Sequence, residues 1–401
     1  MRSGKILLYQ TGAQPEAVCA AALSAAGCTV VKFYCPLAAA EDRERYLPVL
    51  RQLLREQRAD MVFAFAYEPA LSEACQLEGV LYAAYCIDAP AMAVIADNLA
   101  NDCNLLLSPD TRQTQQLLAA GAANAAYLPL APVLTAPAQQ RAEGGPDFEE
   151  ISRMGDGEKG QFPKYSAISF VGSRHTDNIY SRFSGLPDQL RGYLDASTSA
   201  QTQVYGCSLF DDMIDDTLLD GLRQLLPIAQ AGQDAARYRY LLTSCILPTQ
   251  ATMLERTRSI GYLKQEFGTR FVWYSREPAD AGRDGCRGPI SYDAKLAAHY
   301  AAPYIHLNMT NRCRSAGVPQ NCWDILECGG FLLSNYQADF AGLLEAGRDF
   351  VQYGSGRELR DMAEYYQKHP DEALEIAAHG CRTVRENHSW TARAAELLEV
   401  L

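Results

Sequence analysis

The residues best suited to chemistry are concentrated between Ile305 and Tyr336, in a segment that reads as strand, loop, helix, tight turn and strand. Pro319 is typical of the first turn of a helix, and Gly329-Gly330 of its C-terminal end. The loop from Arg314 to Val318 therefore leads into a helix N-terminus, where backbone N–H groups have no intrahelical partners. Such a terminus binds anions, so the segment predicts an anion site at the end of a strand.

Three charged side chains near this loop agree with such a site. Arg312 and Arg314 would add positive charge beside the free N–H groups, one of which belongs to Gly317, and a diphosphate would match them. Asp324 lies about one and a half turns into the helix, from where it could reach hydroxyl groups of the same ligand. The alternative is an ordinary strand–helix–strand unit whose arginines are solvated. Local physics alone leaves both interpretations open.

These residues need a scaffold, and the first 135 residues predict one in which short apolar strands alternate with helices. Strand candidates lie at Lys5–Tyr9, Thr29–Tyr34, Met61–Tyr67, Leu81–Ile87, Leu105–Leu107 and Tyr127–Leu130. Helices are predicted between them at Pro15–Ala26, Glu44–Gln57, Ala70–Leu77, Ala91–Asn101 and Thr111–Ala120. This alternation indicates an α/β, doubly wound domain, in which helices cover both faces of a parallel sheet.

Residues 136–165 predict a linker or a long exposed loop, because proline and glycine punctuate a polar segment. Gly155 to Gly160 matches the GxGxxG pattern, but no strand precedes it and no helix follows, so we expect a flexible loop. A second Rossmann-like domain is predicted over residues 166–380, mostly helical from 176 to 267. Residues 381–401 predict C-terminal helices that could pack back on the N-terminal domain. The strands of the second domain are predicted at Ala167–Val171, Phe271–Tyr274, Tyr304–Met309, Phe331–Ser334 and Phe350–Tyr353.

The composition argues against several classes of protein. The 401-residue chain carries 36 Lys and Arg against 48 Asp and Glu, a net charge of -12, which disfavours binding to nucleic acid or an anionic membrane. No apolar run approaches the roughly 20 residues that span a bilayer. Thirteen cysteines without a CxxC pair predict reduced, mostly buried thiols, and the six histidines have no metal-ligand spacing. We therefore expect a cytoplasmic, two-domain protein with no metal or cofactor.

Several stretches of the sequence resemble a known family. The most specific is GVPQNCWDILECGGFLLSNY at residues 317–336, which follows NMTNRC at residues 308–313. Weaker matches occur in family order at Cys86–Pro90, Tyr127–Leu130, Ser169–Ser173, Ser291-Tyr292, Gly347–Tyr353, Glu358–Tyr366 and His388–Arg393. Together they resemble the CgeB-type glycosyltransferases, which are named after a spore-maturation protein. The N-terminal region is similar to the one designated DUF3880, and the family belongs to the GT-B enzymes.

The resemblance implies a GT-B fold, with two Rossmann-like domains facing a cleft and a helical C-terminal tail. The N-terminal domain would take a hydroxyl acceptor on a glycan, a protein or a spore or cell-surface polysaccharide. The C-terminal domain would take a nucleoside-diphosphate sugar, and transfer would need no metal. The candidate residues for binding donor or substrate are Thr11, Gly12, Gly172, Ser173, Asn308, Arg312, Arg314, Gly317 and Asp324.

Two residues are candidates for catalysis. Asp88 directly follows an apolar strand and could deprotonate the acceptor hydroxyl as a general base. Alternatively, Asp88 caps a helix that begins near Ala91. His175 follows the strand end at Gly172-Ser173 and could meet the transferred sugar or the phosphates.

Two departures from the family pattern affect the donor site. Many GT-B enzymes place two glutamates eight positions apart around the donor, where this sequence has Ala316 and Asp324. Asn321 stands where the family commonly has an arginine, so phosphate binding would be weaker or would depend on Arg312 and Arg314. Two alternatives to a transferase therefore stay open: a nucleotide-sugar epimerase on the same fold, and a catalytically weak nucleotide-sugar-binding or scaffold protein.

Overall fold

The computed structural model describes residues 4–37, 40–135, 164–183 and 185–400. The chain forms two compact units. The first comprises residues 1–133, 316–318 and 387–401, and the second comprises residues 134–315 and 319–386. Nearly all of the predicted linker, including the GxGxxG match, lies outside the described residues.

The first unit contains a six-stranded parallel sheet in the order β2-β1-β3-β4-β5-β6. The alternation of strands and helices predicted from the sequence is confirmed. β3 is buried along its whole length, which explains why such strands are continuous apolar runs. The strands are β1 (Lys5–Tyr9), β2 (Thr29–Phe33), β3 (Met61–Ala64), β4 (Leu81–Tyr85), β5 (Asn104–Ser108) and β6 (Ala125–Tyr127). The connecting helices are α1 (Glu16–Ala25), α2 (Ala40–Gln57), α3 (Pro69–Glu78) and α4 (Thr111–Ala119).

The helix predicted at Ala91–Asn101 is wrong, because this segment forms only a single 3-10 turn, Met92–Ile95. Two asparagines that follow the turn bond to other segments instead of continuing a helix. Asn98 Nδ2 donates to the carbonyl of Pro69 at 2.7 Å, and Asn101 Nδ2 donates to the Ser72 hydroxyl at 3.0 Å.

The last strand of the sheet is displaced from its predicted position, since β6 ends at Tyr127, where the predicted strand Tyr127–Leu130 begins. The N–H of Leu128 still donates to the carbonyl of Ser108 at 2.9 Å. Pro129 has no N–H and cannot continue the ladder.

The second unit contains a five-stranded parallel sheet in the order β11-β10-β9-β7-β8. Its strands are β7 (Ile168–Val171), β8 (Phe271–Tyr274), β9 (Ile305–Asn308), β10 (Phe331–Asn335) and β11 (Val351–Tyr353). The predicted helical stretch corresponds to α5 (Asp188–Gln201), α6 (Phe210–Met213), α7 (Asp216–Leu225), α8 (Ala235–Tyr240), a π-helical turn (Leu241–Ile246) and α9 (Leu247–Phe267). The later helices are α10 (Ala294–Ala301), α11 (Gln320–Glu327), α12 (Gly356–Lys368) and α13 (Pro370–Asn387).

The last helix, α14 (Trp390–Val400), belongs to the first unit and packs against α1. The Trp390 ring meets Phe65 edge to face, with ring centroids 6.0 Å apart. Arg393 Nε donates to the carbonyl of Leu130 at 3.3 Å. These contacts place the C-terminal helix on the N-terminal sheet.

Candidate functional site

A polar pocket lies in the second unit, beside the residues that follow β9 and β10. The loop after β9 contributes Arg312, Arg314 and Ser315, and the residues directly after β10 contribute Tyr336 and Gln337. Among the described residues that line it there are two arginines and no acidic side chain, so the pocket is suited to an anion. The helical segment from α5 to α9 supplies the other lining residues, Gln201, Gly206, Cys207, Ser208, Phe210 and Pro248.

The Arg312 guanidinium is held from several sides. Its Nε donates to Glu255 Oε2 at 2.6 Å, and its two Nη atoms donate to the carbonyls of Val204 and Thr202 at 2.8 and 3.2 Å. The Tyr205 ring lies 3.8 Å from Cζ of the guanidinium, and its hydroxyl donates to Glu255 Oε1 at 2.5 Å. Arg312 therefore shapes the pocket, while its own charge is balanced by Glu255.

The loop from Val204 to Leu209 forms a wall of the pocket. Gln201 donates to two carbonyls of this loop, at 3.1 and 2.9 Å, and accepts from one of its N–H groups at 2.7 Å. Gly206 has a φ of 78°, and a Cβ there would lie 2.7 Å from Cε1 of Tyr336. Glycine thus permits both the turn and the close approach of the Tyr336 ring.

Asp324 is fully buried, and its carboxylate is bonded to donors of the protein itself. Oδ1 accepts from the N–H of Leu134 and from Gln320 Nε2, both at 3.1 Å, and Oδ2 accepts from the Tyr292 hydroxyl. Burial and the Asp324 charge raise the pKa of Tyr292, so the phenol remains a donor. Asp324 is thus an internal acceptor that ties α11 to two other segments, and its role toward ligand hydroxyls stays a prediction.

Two of the N–H groups predicted to bind an anion donate instead to a carboxylate of this protein. In the first unit, Asp110 Oδ2 accepts from the N–H groups of Ala316 and Gly317, at 2.9 and 3.0 Å. The other oxygen of Asp110 caps α4 by accepting from the N–H of Gln113 at 3.0 Å. The expectation that the N–H of Gly317 is free for a ligand is corrected accordingly.

Gly172 and Ser173 follow β7, as predicted, but both make contacts within the protein. A Cβ at Gly172 would lie 2.7 Å from Cζ of Phe170, so packing alone accounts for a glycine there. The Ser173 hydroxyl accepts from the hydroxyl of Ser275 at 3.0 Å, and its carbonyl accepts from Arg256 at 2.6 Å. Their position at a strand end is as expected, and their role toward a ligand stays a prediction.

His175 lies in a strained turn after β7, with a φ of 63°. Its N–H donates to Glu277 Oε2 at 2.7 Å, and its carbonyl accepts from Asn178 at 2.8 Å. Burial, with the nearby charge of Arg256, lowers the pKa of the imidazole. The ring is therefore neutral at pH 7 and half-buried, which is compatible with accepting a proton.

Asn308 at the end of β9 is buried and holds the strand end together. Its Nδ2 donates to the hydroxyls of Thr310 and Ser334, at 2.9 and 3.0 Å. Because Ser334 belongs to β10, this asparagine links two neighbouring strands of the sheet. It supports the two segments that carry the arginines, Tyr336 and Gln337 into the pocket.

Thr11 and Gly12 lie in the exposed loop after β1. This loop is held by the carboxylate of Glu16, which the sequence analysis did not identify. Glu16 Oε1 accepts from the N–H and hydroxyl of Thr11 at 2.6 and 2.8 Å, and from the N–H of Ala13 at 3.0 Å. Gly12 has a φ of 83°, which the turn requires. This loop is therefore organised around Glu16.

Asp88 is exposed and does not cap the turn that follows it. The N-cap position of that 3-10 turn is Ala91, where no side-chain hydrogen bond is made. The capping interpretation of Asp88 is therefore wrong. Its carbonyl accepts from Gln113 Nε2 at 3.2 Å, which fixes the backbone and leaves the carboxylate at the surface.

Five residues of the pocket and its support carried no recognised motif: Gln201, Tyr205, Gly206, Glu255 and Gln337. Four of them belong to the helical stretch, whose sequence pattern predicted helices but not which side chains meet the sheet. Gln337 did carry a usable signal, since it lies just after a predicted strand, as Gly172-Ser173 does.

Within the residues that the structure describes, no group of three or more His, Cys, Asp or Glu side chains is placed to hold a metal ion. None of the described helices combines the length and the apolar composition that crossing a membrane requires.

Residues 254–399 match a family model described as glycosyl transferase-like. No curated protein matches the sequence significantly. Anabaena HepE in complex with UDP-glucose is similar in structure at 13% identity, with a TM-score of 0.52 over 99% of this chain and 100% of that chain.

A sucrose-phosphate synthase from Thermosynechococcus elongatus is similar at 12% identity, with a TM-score of 0.53 over 99% of this chain and 98% of that chain. Anabaena HepE in complex with UDP and glucose has the same identity, TM-score and coverage. At such low identity these matches establish the fold. The chain therefore has the GT-B fold of glycosyltransferases, and its residues 254–399 match a glycosyltransferase-like family.

Proposed function

We propose that this protein is a glycosyltransferase that binds a nucleoside-diphosphate sugar in the second unit, in the pocket that Arg312 and Arg314 line. The observation that carries the proposal is the lining of this pocket, which in the described chain has two arginines, one of them paired with Glu255 behind the lining, and no acidic residue. Guanidinium groups are suited to phosphates because they present several donors in one plane. The similar Anabaena HepE structure holds UDP-glucose, which makes UDP and UDP-glucose the first ligands to test.

Within this pocket we assign the main phosphate contact to Arg314. The charge of Arg312 is balanced by Glu255, and Arg314 is the second, half-buried arginine of the same lining. In the proposed reaction an acceptor hydroxyl attacks the anomeric carbon, and the nucleoside diphosphate departs with the bonding electrons. Negative charge grows on the departing diphosphate, so the arginines would stabilise the transition state more than the ground state.

The finer assignments are also proposals. We place the acceptor with the first unit, and we keep Asp88 and the neutral imidazole of His175 as candidates for the base that takes the hydroxyl proton. We propose that arginine charge, without a metal ion, balances the diphosphate. The CgeB-type subgroup, supported by the motif at residues 317–336, and a cytoplasmic location, supported by thirteen free thiols, belong to the same proposal.

Calorimetric titration of the purified protein with UDP and UDP-glucose tests the assignment of the pocket. Arg314→Ala should weaken the affinity for UDP roughly tenfold to a hundredfold, because one charge-assisted hydrogen bond is lost. Arg258→Ala is the matched control, since Arg258 is an exposed arginine of α9 outside the pocket lining. Equal UDP affinities for Arg314→Ala and Arg258→Ala would refute the assignment.

A second candidate function is a nucleotide-sugar-binding protein with little or no transferase activity. The burial of Asp324 and the pairing of Arg312 with Glu255 favour it, because both charged groups are already engaged within the protein. Donor turnover separates the two functions. A transferase releases UDP from UDP-glucose when an acceptor is added, whereas a binding protein retains UDP-glucose intact with every acceptor supplied.

A further inference from the structure

Gln337 is a buried polar residue with an unused acceptor atom in the arginine-lined pocket. It is 6% exposed, and it lines the pocket together with Arg312 and Arg314. Its Oε1 atom is buried and accepts no hydrogen bond from the described part of the chain. Buried polar atoms in proteins are nearly always paired, so an unpaired acceptor at a pocket calls for a donor from outside the chain.

The surrounding backbone does not use this side chain. Gln337 occupies the N-cap position of the 3-10 turn Ala338–Phe340, yet it makes no side-chain capping bond there. Gln201, another buried glutamine of the pocket, uses both ends of its amide on the neighbouring loop. Gln201 therefore builds the pocket, whereas the acceptor atom of Gln337 is left without a partner in the described part of the chain.

We propose that Gln337 Oε1 accepts a hydrogen bond from an O–H or N–H group of the bound nucleotide sugar and thereby determines which donor the pocket selects. This inference rests on the proposed function. Arginines cannot accept a hydrogen bond from such groups, because a guanidinium has donors and no acceptor. Asp324 cannot do so either, since its carboxylate is bonded to Tyr292, Leu134 and Gln320.

The chemistry of an amide also fits its charged surroundings. A carboxylate at this position would pair with the arginines and reduce the positive charge available to a diphosphate. A neutral amide offers an acceptor without that loss. Gln337 would therefore accept a hydrogen bond from the uncharged part of the ligand, while the arginines bind the phosphates.

Affinities of the wild type and of Gln337→Met for a set of uridine nucleotides test the inference. Methionine is unbranched and of similar size, so it removes the acceptor with little change in shape. Gln203→Met is the matched control, because Gln203 is exposed and outside the pocket lining. The ligands are UDP, UDP-glucose, 2′-deoxy-UDP and 3-methyl-UDP, measured by calorimetry, and thermal unfolding verifies that each variant is folded.

We expect Gln337→Met to bind the ligand that carries the recognised group about tenfold more weakly, and Gln203→Met to behave as the wild type. The wild type should bind the analogue without that group about tenfold more weakly than the parent ligand. Gln337→Met should bind the analogue and the parent ligand with equal affinity. A loss with 2′-deoxy-UDP identifies a ribose hydroxyl, and a loss with 3-methyl-UDP identifies the base N–H. A preference for UDP-glucose over UDP that disappears in Gln337→Met identifies a sugar hydroxyl.

A second variant keeps the inference testable if Gln337→Met does not fold. Gln337→Glu retains an acceptor but adds a negative charge beside the arginines, so it should weaken every diphosphate and still discriminate among the analogues. Equal affinities of wild type and Gln337→Met for all four ligands overturn the inference. If the wild type itself binds none of them, it is the proposed function that fails.

Discussion

Replacement of Asp324 separates a structural role from a role in ligand binding. The carboxylate is fully buried and accepts from donors of Leu134, Gln320 and Tyr292. A hydrogen bond to a charged group contributes about 1.5 kcal/mol or more, and a buried donor left without its acceptor adds a further cost. We therefore expect Asp324→Ala to lower the free energy of unfolding by about 4 kcal/mol.

Urea denaturation followed by circular dichroism measures this loss, and Tyr292→Phe provides a matched control. That variant removes the donor of one of these bonds and keeps the carboxylate, so it should lower the free energy of unfolding by only about 1.5 kcal/mol. Because the two residues share a bond, their effects should not add: the double variant should be less destabilised than the sum of the single variants.

The affinity of the folded Asp324→Ala variant for UDP should stay within about twofold of the wild type, because Asp324 does not line the arginine pocket. The opposite pattern would refute the structural role. If Asp324→Ala unfolds at the same urea concentration as the wild type but binds UDP much more weakly, the carboxylate contacts the ligand after all.

Two further predictions concern the interior of the second unit. Burial lowers the pKa of His306 from 6.5 to about 4. Between these pH values the unfolded chain binds a proton that the native state excludes. The free energy of unfolding should therefore fall by up to about 3 kcal/mol as the pH is lowered from 6.5 to about 4. The free energy of unfolding from urea denaturation should depend less on pH in His306→Gln than in the wild type; an equal pH dependence would contradict this. Gly206→Ala should weaken UDP binding, because the new Cβ would displace the Tyr336 ring at 2.7 Å. Gly232→Ala, which also has positive φ but nothing within 4 Å, should leave the UDP affinity unchanged.

The fold was predictable because its signals are local. Strands buried on both faces must be continuous apolar runs. The helices between them are recognised by the helical spacing of their apolar residues and by the residues that end them, such as Gly79, whose φ is 67°. Prediction failed at Ala91–Asn101, where Asn98 and Asn101 bond to segments about thirty residues away instead of to a helix of their own.

The site was predictable only in part, because its geometry depends on partners distant in sequence. The arginines after β9 could be recognised as an anion-binding signal, and both line the pocket. The burial of Asp324 could not be foreseen, since its partners Tyr292 and Leu134 lie 32 and 190 residues away. The same holds for Glu255, which pairs with Arg312 across 57 residues.

The central claim, that the arginine-lined pocket binds a nucleoside diphosphate, can be tested through a thiol within it. Cys207 lines the pocket and is exposed, whereas the other cysteines are buried or half-buried. Its alkylation by a neutral maleimide, followed by mass spectrometry, reports whether the pocket is occupied. With UDP at ten times its dissociation constant, we expect the labelling of Cys207 to be about tenfold slower than in the free protein. A labelling rate that UDP and UDP-glucose leave unchanged would contradict it.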